Sequence, residues 1–487
     1  MAEVVFPFPF PENLHLILPE IFLAVMAMIV LLMSVFLSKG KQNIVAWTSI
    51  VTCLVVGAEV LRASGGEGLE TFYGYFVLDP FAAYGKLLMI AATIFAMVLS
   101  LNYVKDEANV GEYYSLMLFA LLGMMLMVSA TNFVTMYLGL ELMALSVYVL
   151  VGYQRDVLRS TEAALKYFIL GALSSCMLLY GITFLYGTTS SFMYLEMGNI
   201  ITQSGEDQRL AVLTGMLFVL AGLSFKVSVA PFHMWTPDAY EGAPSPITAF
   251  MSVAPKVAGL FVFMRILVDV FPGLQAEYTT VLMFLAVLSM AVGNIAAIVQ
   301  RNIKRMLAYS TIGHVGFILL GLIAGSHEGY SAIVLYMTIY LFMTMGVFGI
   351  IIMMRRDDIQ GELLDDFAGL SKVRPGYALA MGLLMFSMAG IPFLGGFWAK
   401  YAVFIAAIEQ GHIILATLGV LFSAIGAFYY IRIVKYMYFD EERVSFNFAQ
   451  SAPLQATIIF STLVVVAIGL YPEPVMEICK LAIEGLV

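Results

Sequence analysis

The sequence is poor in charge and in cysteine. Of 487 residues only 12% are Asp, Glu, Lys or Arg, about half the roughly 25% of an ordinary soluble chain. A water-soluble protein of this length would need far more polar side chains to cover its surface. The three cysteines, Cys53, Cys176 and Cys479, stand far apart without CxxC spacing. That argues against a disulfide framework, a zinc site or an iron–sulfur cluster built within this chain. Basic residues are outnumbered, 24 Lys and Arg against 33 Asp and Glu, for a net charge of −9. With a pI near 5.1 and no Lys/Arg cluster, nucleic acid is not expected as a partner.

What fills the chain is hydrocarbon: 61% of residues are hydrophobic and the mean hydropathy is +0.93. Apolar runs of at least about 18 residues follow one another from end to end, so most of the chain is expected to sit in a lipid bilayer. Fourteen such runs start near Leu14, Asn43, Asp79, Glu112, Asn132, Thr161, Leu210, Ser245, Ala276, Ile303, Gly329, Tyr377, His412 and Ala452. The expected fold class is an all-α polytopic membrane protein with about 14 transmembrane helices. The first run is not read as a cleaved signal: it lacks a basic n-region and an A-x-A site, and a Phe/Pro alternation from Phe6 to Pro11 precedes it.

Basic residues fix the expected orientation. The odd-numbered connections hold fourteen Lys and Arg, among them Lys39, Lys41, Lys105, Arg155, Arg159, Arg301, Lys304, Arg305, Arg356 and Arg443. The even-numbered connections and the two tails hold only Arg62, Arg209 and Lys480. By the positive-inside rule the odd connections are cytoplasmic and both termini face outward, as an even helix count requires.

Residues 112–270 and 276–438 read as two five-helix blocks, preceded by three helices in 1–111 and followed by a last helix and tail in 452–487. Because five is odd, the second block starts on the opposite side of the membrane, giving two inverted repeats as in many ion transporters. Each block holds one overlong apolar segment interrupted by helix breakers, making helices 7 and 12 discontinuous. The breaks are SVAPFHMWTP with Pro231 and Pro237, and MAGIPFLGGF with Pro392, Gly395 and Gly396. Backbone freed at membrane depth is tolerated only where it faces protein or a wet cavity. Two plain proline kinks are the alternative reading.

Seven basic side chains fall within spans. Lys86, Arg265 and Arg432 lie near span ends, where snorkelling is expected to carry them to the interface. Lys256 is eleven residues into helix 8, about 17 Å into a core of about 30 Å. Lys226 falls midway along broken helix 7, and Lys400 and, on helix 5, Glu141 each lie nine residues from a span end, about 14 Å. Glu141, Lys226, Lys256 and Lys400 therefore share the bilayer midplane. Each such charge opposes insertion by roughly 2.5–3.5 kcal/mol, and one glutamate cannot compensate three lysines. A buried lysine is a group that can accept and release a proton at working pH, which is what a proton relay requires. A purely structural ion pair is the alternative.

Lys166, a turn or so into helix 6, follows Glu162 at i, i+4. It reads either as an interfacial pair or as an entry group reaching towards Glu141. His233 in the first break and His314 near mid-depth of helix 10 can bridge relay lysines or be hydrogen-bonded core histidines. Lys304 and Arg305 read as positive-inside anchors, and Asp79-Pro80 as an N-cap with proline at N1.

LGLELMALSVYVL around Glu141, FKVSVAPFHMWTPDAYEGAP around Lys226, SVAPKVAGL around Lys256, NIKRMLAYSTIGHVGF around His314 and GIPFLGGFWAKYAVF around Lys400 resemble the antiporter-like membrane subunits of respiratory complex I. The resemblance spans essentially the whole chain. It implies a 14-helix fold with two inverted five-helix repeats and a hydrated midplane relay. In it Glu141 pairs with Lys226, Lys256 is the central carrier, Lys400 leads to the outer side, and Lys166, His233 and His314 are accessory. It further implies a non-redox subunit of a proton-translocating NADH:quinone oxidoreductase in a bacterial inner membrane. This chain would hold no cofactor, flavin and iron–sulfur clusters would lie in partner subunits, and the neighbours would be antiporter-like subunit M and small subunit K. The short tail after helix 14 departs from the L-type and Lys400 from the M-type, which leaves the N-type. The D-type subunit of multi-subunit sodium/proton antiporters is the runner-up, and a secondary transporter for an organic solute is a third reading.

Overall fold

A computed structural model describes residues 13–37, 42–65, 69–104, 109–355, 361–441 and 451–486. The Phe/Pro alternation at 6–11 and the basic residues Lys39, Lys41, Lys105, Arg356 and Arg443 lie outside the described residues.

Three helices open the chain: α1 (Leu18–Phe36), α2 (Gln42–Ala63) and, after a short antiparallel hairpin of β1 (Leu69–Thr71) and β2 (Phe76–Leu78), α3 (Pro80–Ser100). There follow α4 (Val110–Ser129), α5 (Phe133–Val151), α6 (Leu158–Thr189), the short α7 (Tyr194–Gln203), α8 (Glu206–Lys226), α9 (Trp235–Gly242) and α10 (Ser245–Asp269). The second half runs through α11 (Gln275–Ile298), α12 (Ile303–Ala324), α13 (His327–Met353), one turn of α14 (Leu370–Val373), α15 (Pro375–Ala389), α16 (Gly395–Glu409) and α17 (Ile413–Phe439). It closes with α18 (Ala452–Leu470) and α19 (Glu473–Ile483).

Among the described residues thirteen helices are long and apolar enough to cross a membrane. The fourteenth expected span is the pair α15 and α16, fifteen residues each, separated by residues 390–394. The other break leaves α8 at Lys226 and resumes at Trp235. Both interruptions thus fall in the segments where Pro231 and Pro392 stand. Neither is a plain kink: in each, several residues leave the helical conformation, with Ser228 at φ 67° and Phe393 at φ 69°.

Helices α10, α12 and α13 form the centre, buried along nearly all of their apolar length. On the periphery, α1, α2, α6, α17 and α18 present exposed apolar side chains such as Leu32, Leu54, Leu173, Leu421 and Leu463. In a bilayer that surface meets acyl chains, so no aqueous penalty attaches to it.

One local device occurs twice. Asn132 caps α5 by accepting a hydrogen bond from Thr135 N at 2.8 Å, and Asn302 caps α12 by accepting from Arg305 N at 3.1 Å. Such a cap satisfies an amide that the first turn leaves unpaired. Each asparagine also forms an antiparallel bridge to a residue 61 positions on, Asn132 with Met193 and Asn302 with Leu363. The helix pairs behind them pack backbone to backbone. Gly123 of α4 faces Gly139 of α5, and Gly293 of α11 faces Gly313 of α12, with no room for a Cβ at Gly123, Gly139 or Gly293. Close helix approach through small residues is the usual packing mode in lipid.

Candidate functional site

The basic residues expected to snorkel do not. Lys86 is 0% exposed and its Nζ lies 2.7 Å from Glu20 Oε1 of α1, itself 2% exposed. Arg265 is buried and its Nη2 meets Asp79 Oδ2 at 2.6 Å. Arg432 donates to the carbonyls of Ile298 and Gln300, at 2.6 and 2.7 Å, and so closes the C-terminal end of α11. In each case the helix face, which span depth does not reveal, turns the cation towards protein. Asp79 is the expected N-cap, accepting from Ala82 N at 2.7 Å, and carries the Arg265 pair in addition.

The three lysines expected at the midplane stand apart from this pattern. Lys226, Lys256 and Lys400 are 6%, 1% and 6% exposed, and among the described residues none has a carboxylate within 4.0 Å. Each is held instead by hydroxyls, backbone oxygen or aromatic rings. Lys226 is the last residue of α8, at the electronegative end of that half-helix. Its Nζ is 3.5 Å from Ser175 Oγ on α6, and the same hydroxyl donates to Glu141 Oε1 at 2.5 Å. The expected Glu141–Lys226 pair is therefore bridged by Ser175 rather than direct.

Lys256 follows Pro255 inside α10. Its Nζ donates to Ser228 Oγ at 2.9 Å, and Ser228 also accepts from Thr236 Oγ1 at 2.9 Å. The rings of Trp235 and Tyr240 flank the ammonium at 5.6 and 5.3 Å, within cation–π range. All four neighbours belong to the break or to α9, so the interruption of helix 7 builds the environment of the lysine on helix 8.

Lys400 on α16 reaches back across the second break and donates to Ala389 O, at the C-terminal end of α15, at 2.8 Å, and to Ser423 Oγ of α17 at 2.8 Å. His314 sits beside it, for both lie against the Phe317 ring. The imidazole joins Tyr336 OH at 2.6 Å through Nδ1 and Tyr430 OH at 2.8 Å through Nε2. Tyr430 OH in turn meets Ser310 Oγ at 2.5 Å, and Thr311 Oγ1 meets Tyr340 OH at 2.8 Å. Between these hydroxyls and Ser252, one turn before Lys256, lies an enclosed cavity of about 10 Å³, the size of about one water.

Lys166 is not drawn towards Glu141. It is 47% exposed and pairs with Glu162 at 2.7 Å and Asp238 at 3.0 Å. His233 is half-buried in the first break, and among the described residues no hydrogen bond joins it to a relay lysine. Ser175, Ser228, Thr236, Tyr336, Tyr430 and Ser423 were not singled out by the sequence, because serine, threonine and tyrosine are common in apolar helices. The available signal for Ser228 and Thr236 was their place within the SVAPFHMWTP break.

The arrangement is three buried lysines, each bonded to a serine hydroxyl, a group that both donates and accepts hydrogen bonds. Among the described residues no group of three His, Cys, Asp or Glu could hold a metal ion.

Residues 130–426 match the family described as NADH:quinone oxidoreductase/Mrp antiporter, TM. The chain is 46% identical over 478 residues to NADH-quinone oxidoreductase subunit N of Paramagnetospirillum magneticum, covering 96% of this chain and 97% of that one. Among solved structures it resembles a chain of respiratory complex I from Thermus thermophilus, with TM-score 0.80, 28% identity and coverage of 94% and 99%. It also resembles a chain of the membrane-bound sulfane sulfur reductase, an archaeal respiratory membrane complex, with TM-score 0.85, 26% identity and coverage of 96% and 97%. The chain belongs to the family of NADH-quinone oxidoreductase subunit N, within the wider group of NADH:quinone oxidoreductase and Mrp antiporter membrane proteins.

Proposed function

We propose that this chain is a proton-translocating membrane-arm subunit of a bacterial NADH:quinone oxidoreductase. Protons move through a midplane relay of Glu141, Lys226, Lys256 and Lys400. Redox chemistry in other subunits drives them, and flavin and iron–sulfur clusters belong to those partners. Three lysines buried in apolar helices, with no direct carboxylate partner among the described residues and each bonded to a serine hydroxyl, carry the reading. Holding such charges at mid-membrane costs roughly 2.5–3.5 kcal/mol each, a cost that a merely structural lysine has no reason to impose three times.

The mechanism is electrostatic. While Ser175 links Glu141 to Lys226, the carboxylate offsets the charge of Lys226. When a partner's state loosens that link, the uncompensated Lys226 cation repels the proton on Lys256. The hydroxyls around the one-water cavity and the His314 ring, each donor and acceptor at once, offer the way on to Lys400 and the outer side. The duplicated asparagine caps and the two matched breaks support an origin in two inverted five-helix blocks, 112–270 and 276–438. The basic bias of the odd connections supports both termini lying outside, the bacterial relatives support an inner-membrane location, and subunits M and K are the neighbours to expect.

The test is the company the chain keeps. Tagged and purified in mild detergent, it should bring down an assembly that carries flavin and iron–sulfur centres and oxidises NADH. An assembly without them that exchanges sodium for protons would establish the D-type antiporter reading instead.

A further inference from the structure

The cytoplasmic ends of α6, α9 and α12 are joined by an unbroken string of charges that alternate in sign. It begins with Glu162 on α6, whose carboxylate meets Lys166 at 2.7 Å; Lys166 meets Asp238 of α9 at 3.0 Å. Asp238 offers its other oxygen to Arg305 of α12 at 2.6 Å, and Arg305 also takes Glu241 of α9 at 2.8 Å. From Glu241 the string passes to Arg159 at 3.0 Å, then to Glu362 at 3.3 Å, and ends at Lys304, 2.7 Å from Glu362. Lys304 closes the loop by donating to Ala243 O, at the C-terminal end of α9, at 2.7 Å. Four cations and four anions are thus matched one for one. Lys304 is buried and Arg305 is shared between two carboxylates of one short helix.

Helix α9 needs external support. Its eight residues are too few to be stable alone, it has no side-chain N-cap, and the break at 227–234 detaches it from α8. Its N-terminal end is fixed by Trp235, which stacks on Tyr167 with ring centres 4.2 Å apart and donates to Phe225 O at 3.0 Å. Its C-terminal end is fixed by the charge string. Between those ends it carries Trp235, Thr236 and Tyr240, which surround Lys256 and its partner Ser228.

We propose that Arg305 is a positioning residue that clamps α9 through Asp238 and Glu241 and thereby sets the surroundings of Lys256. Because α12 also carries His314, the clamp holds the Lys256 half of the relay in register with the His314–Lys400 half. This role rests on the relay reading, whereas the clamping of α9 itself does not.

The test uses the intact, membrane-embedded complex with Arg305→Gln, Arg305→Lys and Lys256→Ala. NADH oxidation by an artificial electron acceptor reports assembly. Arg305→Gln is expected to raise backbone hydrogen exchange across 235–242 by about tenfold and to lower the proton-to-electron ratio, and Arg305→Lys to restore most of both. If Arg305→Gln does not assemble, Glu241→Gln, which removes one of the two carboxylates, must show the same changes in smaller measure. Unaltered exchange in the assembled variant overturns the clamp. Raised exchange with an unaltered ratio, while Lys256→Ala lowers it, overturns its service to the relay and leaves the relay standing. An unaltered ratio in Lys256→Ala overturns the relay, and the exchange result still decides the clamp.

Discussion

Lys256 Nζ donates to Ser228 Oγ at 2.9 Å, joining the middle of an intact helix to the broken backbone of its neighbour. The bond explains why a break and a lysine occur together. A continuous helix 7 would present side chains at fixed helical spacing, whereas the break lets Ser228, Trp235 and Tyr240 converge on one ammonium group. Lys400 and the second break repeat the relation in another form, with the backbone carbonyl of Ala389 as acceptor. In both places a group of the interrupted segment or its flanking turn bonds a buried cation.

Ser175 is the only contact between Glu141 and Lys226 among the described hydrogen bonds. Ser175→Ala should leave the complex assembled but slow proton translocation, since hydrogen bonds to charged groups contribute about 1.5–3 kcal/mol. Ser175→Thr keeps the hydroxyl and should translocate at near the wild-type rate. Dye-reported acidification of sealed vesicles, normalised to NADH oxidation, distinguishes them; equal rates in Ala and Thr variants would remove Ser175 from the relay.

The Glu20–Lys86 pair ties α1 to α3 and has no evident part in proton transfer. Glu20→Gln strands the Lys86 cation, and the loss should reach about 3–5 kcal/mol, the usual cost of removing one partner of a buried pair. Glu20→Leu combined with Lys86→Met should recover most of it. Thermal unfolding of the purified complex measures both, and a double variant no more stable than the single would contradict the pairing.

Asp79 has two tasks that substitution can separate. Asp79→Ser keeps an N-cap for α3 but loses the Arg265 partner, while Asp79→Ala loses both. The two should differ by about 1 kcal/mol, the value of a cap, and both should fall well below wild type because Arg265 stays buried. Melting temperatures would show it; a Ser variant as stable as wild type would mean the ion pair adds nothing.

Span count, the two breaks and the burial of Lys226, Lys256 and Lys400 were legible in the sequence, because hydropathy and helix breakers are properties of consecutive residues. Partners were not. Lys86 and Arg265 lie near span ends, and depth alone predicted snorkelling; only the packed helices turn them towards Glu20 and Asp79. Glu20, a carboxylate at the start of an apolar run, was the unread signal. Glu141 and Lys226 were expected in direct contact, because a sequence gives charges but not the serine between them. Lys166 read either as the i, i+4 partner of Glu162 or as a group reaching Glu141; it takes Glu162 at 2.7 Å, and its second partner, Asp238, lies 72 residues away, beyond what spacing can show.

The most direct measurement is the proton-to-electron ratio of the assembled complex carrying Lys256→Ala, followed in sealed vesicles with NADH and a quinone. Loss of a proton-transfer group typically costs about a hundredfold in the step it serves, so the relay predicts a lowered ratio while NADH oxidation by an artificial acceptor stays normal. A ratio equal to that of the wild-type complex would contradict it.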